Sequence, residues 1–291
     1  MIRLPIIYWQ NSRFLISPQP PFNPFLMNNY LFGVLLMWLS VLNAIAQSSS
    51  PIKRYIVPLA QQGVAVDEMH FYVINNHSIH KYTKSNGTST ANWEDSTGFI
   101  KHLNSGIIIN DTLYCTNSNY PESPMASSLE MFDPQTLKHI NTHSFGIQIG
   151  SATWVDRYKG AWYVAFAHYT GRGATEGKDN RWTQLVKFDT AWRQLEAWIF
   201  PADLVAEFDT RSNSGGFIDA DGTIYCTGHD LPKLYQLHFP SLGYTLEWKN
   251  TLNIASKGQG IALDNDGITK QVYGILRDEN VIVVSKIPDT P

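Results

Sequence analysis

The residues of this chain best able to do chemistry are His102, His229 and Asp230. Imidazole titrates near neutral pH and serves as a proton carrier, and a neighbouring carboxylate can orient the ring or exchange protons itself. Six further residues, Asn104, Asn119, Tyr120, His168, Gln259 and Arg277, offer hydrogen bonds and a guanidinium that grips a carboxylate bidentately. The plainer alternatives are that either of His102 and His229 caps a loop carbonyl and that Arg277 is the ion-pair partner of Asp278 or Asp230. His77, in Asn-Asn-His-Ser, reads as a turn residue. Asp230 and Asp278 share one repeat phase, so a carboxylate pair of the glycosidase kind is a further arrangement. Ligand chemistry would also admit a divalent metal among His102, His168, His229 and Asp230, although their local spacing matches no metal motif. Phosphate loops, dinucleotide fingerprints and nucleophile elbows are missing from these segments, so no nucleotide cofactor is expected.

These residues are scattered from position 102 to position 278, and a repeat must bring them together. Tyr72, Tyr114, Tyr163, Tyr225 and Tyr273 lie 42, 49, 62 and 48 residues apart, each in the second of a series of short β-branched and aromatic strands. Units of that length with four strands are propeller blades. The fold class is therefore all-β, a five-bladed β-propeller, with a degenerate sixth blade between Ala202 and Ser214 as the alternative. The last unit is one strand short, and the isolated strand Arg54 to Leu59 near the other end supplies it, closing the ring.

Successive antiparallel strands alternate direction, so loops entering the inner strands and loops leaving the second strands share one face. The first set holds Gln61-Gln62, His102 to Ser105, Ile149 to Ser151, Asn213 to Gly215 and Gly258-Gln259. Asn76-His77, Ser118-Asn119, Ala167-His168, His229-Asp230 and Arg277-Asp278 form the second. The candidate residues should thus meet at one channel mouth, the kind of concave polar site that small molecules use. On the opposite face, Asn110-Asp111, Lys159-Gly160, Asp221-Gly222 and Asp266-Gly267 are hairpin turns and lack the ligand spacing of a calcium loop. Tyr169 to Arg181 and Pro201 to Asn213 are long rim excursions, the second with room for one helical turn.

A net charge of -3 without like-charge blocks excludes a nucleic-acid footprint and a polybasic membrane patch. Tyr30 to Ala46 is an apolar run ending in Ala44-Ile45-Ala46, so residues 1-46 read as an export signal and 47-291 as the propeller domain. The expected location is periplasmic or extracellular, with no stable membrane insertion after cleavage. An uncleaved anchor is the alternative, and Met27 is an alternative start. Cys115 and Cys226 each follow a repeat tyrosine in blades two and four, about 144° apart around a five-fold axis, too far for a disulfide. Two free thiols are expected. The residues carry no signal of an oligomeric state.

At HLNSG, LYCTNSNYPESP, SFGIQIGSATWVD, FAHY, SGG, IYCTGHDLPKLYQL and GQGIALD the chain resembles exported bacterial propeller proteins labelled cycloisomerase-like. These are distantly similar to lactonase and muconate-lactonizing propellers. The resemblance spans His102 to Asp264 and implies that His102, Asn104, Asn119, Tyr120, His168, His229, Asp230 and Gln259 lie in the site motifs. It departs from the metal-dependent gluconolactonase pattern in lacking an inner-strand Glu. The expected protein is an exported cycloisomerase- or lactonase-like enzyme acting on a small acid, lactone or sugar derivative, with His102, His229 and Asp230 catalytic. The alternative is a non-catalytic propeller that binds a glycan or another ligand, with Tyr120, Tyr169 and Trp182 stacking on sugar rings.

Overall fold

The computed structural model describes residue 49 and residues 51–147, 149–265 and 269–288. The expected export segment and the Asp266-Gly267 turn lie outside the described residues. No helix among the described residues is long and apolar enough to cross a membrane.

The described residues form five four-stranded antiparallel sheets. β1 is Pro51–Ile56, and blade one comprises β2 (Gly63–Val66), β3 (His70–Asn75), β4 (Ser78–Thr83) and β5 (Ser89–Glu94). Blade two is β6 (His102–Ile109), β7 (Thr112–Ser118), β8 (Ser127–Phe132) and β9 (His139–Gly146). Blade three is β10 (Ser151–Tyr158), β11 (Ala161–Ala167), β12 (Gln184–Phe188) and β13 (Gln194–Ile199). Blade four is β14 (Gly215–Ile218), β15 (Ile224–Thr227), β16 (Lys233–His238) and β17 (Glu247–Asn253). Blade five is β18 (Ala262–Asn265), β19 (Lys270–Leu276) and β20 (Val281–Lys286), with β1 as its outer strand. Arg54 pairs with Val283 and Tyr55 with Ile282, so the ring closes through chain-end pairing as the short last repeat requires.

The apolar alternation of the strands serves two cores at once. In β3, Phe71 and Val73 pack with Tyr55, Tyr273 and Ile275 of blade five, whereas Tyr72 and Ile74 pack with Leu103, Leu113 and Cys115 of blade two. Because side chains alternate faces, each inner blade strand contributes to both flanking interfaces and must be apolar on both. The remaining interfaces are built likewise, with Trp162 and Phe166 between blades two and three, Trp154 and Tyr235 between three and four, and Phe217 and Val272 between four and five. Cys115 and Cys226 sit in different interfaces, both buried and free, as their repeat phase requires. Burial pushes both thiols up.

The segment weighed as a sixth blade is instead a short helix, α1 (Ala202–Glu207), whose Leu204 and Val205 join Phe200 and Phe208 in the core between blades three and four. Residues Asn110 and Asp111 at φ 47° and 55°, and Lys159 and Gly160 at 48° and 81°, have the paired left-handed conformation of two-residue hairpin turns.

At the axis the inner strands touch backbone to backbone. A Cβ on Gly63 would lie 2.4 Å from the Asn104 carbonyl oxygen, and one on Gly260 would lie 2.8 Å from the Cα of Gly63. Gly260 N–H donates to the Gln62 carbonyl at 2.8 Å, linking blades five and one. A bulge between Leu103 and Gly106 on β6 re-aims Asn104 and Ser105 where the strand leaves the mouth.

Gly63→Ala is expected to lower stability by about 1–3 kcal/mol, read from the urea unfolding midpoint. Gly171→Ala, whose nearest neighbour is a side-chain atom 3.7 Å away, should leave it unchanged. Thiol titration should count no reactive cysteine in the folded protein and both after denaturation.

Candidate functional site

One mouth of the channel opens into a cavity of about 320 Å³ lined by residues from all five blades. Its polar walls are Gln62, Asn76, His77, Asn104, Ser214, His229, Gln259 and His102, with Tyr120 and Tyr169 on one side. Four cations line it as well: Lys101, Arg172, Arg211 and Arg277. No Asp or Glu is among its lining residues. A larger cavity of about 660 Å³ lies between blades one and two. Its buried carboxylate, Glu130, is already saturated by Ser128, Thr142 and His139, and it lacks the convergence of loops from every blade.

His229 leaves β15 directly into the mouth. Its Nδ1 lies 2.6 Å from Asp230 Oδ1, and its Nε2 lies 3.3 Å from Arg277 Nη1. A guanidinium only donates, so Nε2 is the acceptor and the ring proton sits on Nδ1, donated to the carboxylate. Burial lowers the pKa of this imidazole, with Arg211 and Arg277 acting in the same direction and Asp230 opposing them. The result is a neutral ring with its basic nitrogen toward the cavity. The loop is held from blade five: Gln259 Nε2 donates to the His229 carbonyl at 2.9 Å, and a Cβ on Gly258 would lie 2.3 Å from that same carbonyl. Glycine is required at position 258 by this contact and by its φ of 58°.

His102 opens β6 and is also neutral at physiological pH. Its Nδ1–H donates to Asn76 Oδ1 at 2.7 Å, leaving Nε2 as a lone pair, and its ring packs 5.1 Å from that of Tyr120. Burial lowers its pKa to about 4, with the neighbouring His77, Arg277 and His229 acting in the same direction. His77 Nδ1–H donates to the Ile100 carbonyl at 2.9 Å, the turn-fixing role its sequence context indicated.

Of the residues singled out from the sequence, His102, Asn104, Tyr120, His229, Gln259 and Arg277 meet at this cavity. Asp230 stands behind His229 with its side chain 70% exposed, reaching the site only through the ring. Arg277 pairs with the imidazole rather than with Asp230 or Asp278, and Asp278 is 87% exposed near Lys257, so no carboxylate pair faces the cavity.

His168 and Asn119 are placed differently. His168 is buried outside the cavity lining, and its Nε2–H donates to the Ile149 carbonyl at 2.9 Å, tying together two loops of blade three. Asn119 closes its own loop, accepting from Ala126 N–H at 2.7 Å and donating to the Pro124 carbonyl at 2.9 Å. It faces the larger cavity instead. Trp182 also lies outside the mouth, half exposed beside Lys178. Among the described residues no three His, Cys, Asp or Glu side chains come together as metal ligands, and His168 is the one of the four considered for a metal that lies away from the mouth, since His102 and His229 line it and Asp230 touches His229.

Lys101, Arg172 and Arg211 carry no repeat signal. Arg172 and Arg211 come from the two long rim excursions, which are stapled to each other: Thr170 N–H donates to the Thr210 carbonyl at 3.1 Å, and Asn180 Nδ2 donates to the carbonyls of Asp209 and Arg211. Arg211 Nη1 then donates to Tyr120 Oη at 3.2 Å. The length of the excursions was the available clue.

No family model matches the sequence, and no curated protein matches it. Among solved structures, a PQQ-bound aldose sugar dehydrogenase from Streptomyces coelicolor is similar over 84% of this chain and 81% of its own, at 12% identity and a TM-score of 0.51. A gluconolactonase from Xanthomonas campestris is similar over 78% of this chain and 71% of its own, at 10% identity and a TM-score of 0.47. At such identities the shared feature is the propeller fold.

His102 binds its proton less readily in the folded chain, at about 4 against the usual 6.5, so the unfolded chain takes up that proton first as pH falls. Its contribution to stability is full above about pH 6.5 and declines toward pH 4. In urea unfolding at a series of pH values, His102→Gln should lose that part of the decline; slopes identical to wild type would contradict the assignment.

Proposed function

We propose that this chain is an exported lactonase- or cycloisomerase-like enzyme that acts on a small acid or its lactone at the channel mouth. The observation that carries the reading is the Asp230–His229–Arg277 chain, which pairs an oriented, neutral base with a carboxylate-binding guanidinium in one cavity. Export rests on the Tyr30 to Ala46 run and its Ala-Ile-Ala ending.

The chemistry follows from those positions. A bound carboxylate draws the Arg277 guanidinium to itself and frees the His229 lone pair. His229 Nε2 takes a proton from water as the water oxygen adds to the lactone carbonyl, and Asp230 stabilises the imidazolium that forms. The surrounding guanidinium groups stabilise the oxyanion. As the ring C–O bond breaks, His229 returns the proton to the departing oxygen, so one water is consumed and a hydroxy acid results. Run backward, the same steps close the ring. His102 Nε2 is a second acceptor able to orient the water.

Purified protein should hydrolyse members of a panel of sugar-acid and unsaturated-acid lactones, followed by acid release. His229→Gln should cut turnover by about 10²–10⁴-fold with the melting temperature unchanged. Wild-type turnover in that variant would overturn the reading. A panel left untouched, together with neutral-glycan binding lost in Tyr120→Ala, would favour the non-catalytic binding module instead.

A further inference from the structure

The composition of the cavity says more about its ligand than the reaction does. Arg172, Arg211 and Arg277 line one space of about 320 Å³, and among the described residues none of them has a carboxylate within ion-pair distance. Arg211 and Arg277 donate to a phenol oxygen and an imidazole nitrogen, neutral acceptors that cancel no charge. Lys101, at the rim, is different, because Glu122 neutralises it at 3.0 Å. One carboxylate is satisfied by one bidentate guanidinium, with at most a second beside it. Three in a partly enclosed cavity repel one another, and a single negative charge leaves that repulsion largely in place.

A second observation concerns the floor. Asn104 is 5% exposed and Gln62 is 9% exposed, both line the cavity, and neither side-chain amide has a hydrogen-bond partner among the described residues. Both amides therefore open onto the cavity, and each presents donors and an acceptor to whatever binds there. Ser214 adds a hydroxyl to the same floor. Groups that both donate and accept match alcohols, whereas an unsaturated hydrocarbon acid would leave them unpaired at a cost.

We infer that the ligand is a polyhydroxylated acid with two separate anionic groups, such as a sugar diacid or a phosphorylated sugar acid. The inference rests on the small-acid reading of the site given above and narrows it. One anionic group is held by the Arg277 guanidinium, beside the His229 base. The second is held by Arg211 and Arg172 on the stapled rim excursions, and the hydroxyls between them meet Asn104, Gln62 and Ser214. A cavity at the lower end of the roughly 300–1,000 Å³ range of ligand sites suits one sugar-sized molecule rather than an oligosaccharide.

Calorimetric titration of the purified protein at low salt tests this with four probes: galactarate with two carboxylates, 6-phosphogluconate with a carboxylate and a phosphate, gluconate with one carboxylate, and galactitol with none. At least one dianion should bind about tenfold or more tighter than gluconate, and Arg211→Gln and Arg172→Gln should each erase most of that advantage. Arg193→Gln, on the outer rim and paired with Asp189, should not. Preference for galactarate assigns the second group as a carboxylate, and preference for 6-phosphogluconate assigns it as a phosphate. Gluconate or galactitol binding as tightly as both dianions, or no binding by any probe, overturns the inference. Binding does not depend on turnover, so lactones left untouched while dianions bind would sink only the catalytic reading. Turnover without dianion preference would sink only this one.

Discussion

Backbone contact at the axis is the constraint on which the rest of the molecule depends. Five inner strands must approach closely enough for Gly63, Gly215 and Gly260 to lie against the backbones of their neighbours, where a Cβ would come within 2.4–2.8 Å of another chain segment. That approach draws five pairs of loops into a ring small enough for side chains from different blades to touch. It also explains why the contacts that shape the site are made between blades: Gln259 of blade five holds the His229 carbonyl of blade four, and Asn76 of blade one holds the ring of His102 in blade two. Closure by β1 pairing with β20 keeps this ring from opening at the chain ends.

The electrostatics of the mouth follow from the same crowding. Histidines brought close to guanidinium groups and out of water lose their protons, and each then needs a donor or acceptor for the remaining N–H and lone pair. Asn76 and Asp230 accept from Nδ1 of His102 and His229, which fixes both tautomers with Nε2 as the acceptor nitrogen, and in His229 that nitrogen accepts from Arg277. A neutral base among positive charges is a useful combination, because the cations attract an anionic ligand without protonating the group that must accept its proton.

Much of this was legible in the sequence, for a specific reason. The repeat tyrosines set a ruler, and any residue at a constant offset from that ruler shares a height along the axis and a face of the ring. His102, Asn104, His229, Gln259 and Arg277 were placed together on that basis, and the free thiols of Cys115 and Cys226 were separated by it. Offset does not determine where a side chain turns. His168 has the right phase, but the Ile149 carbonyl captures its ring, and Asn119 has the right phase, but its amide is consumed in closing its own loop. Arg172 and Arg211 lie inside insertions, where the ruler has no reach, and their approach depends on hydrogen bonds between two excursions some thirty positions apart, such as Asn180 to Asp209. The pattern that would have sorted these cases is tertiary, and periodicity does not carry it.

The central claim is that His229 is a neutral, oriented base, and nitrogen NMR of the imidazole at neutral pH tests it most directly. The ring is predicted to show a protonated Nδ1 and an unprotonated Nε2, and Asp230→Asn should weaken that tautomer preference. A doubly protonated imidazolium, or a neutral ring with its proton on Nε2, would contradict the account, because either leaves no lone pair facing the cavity.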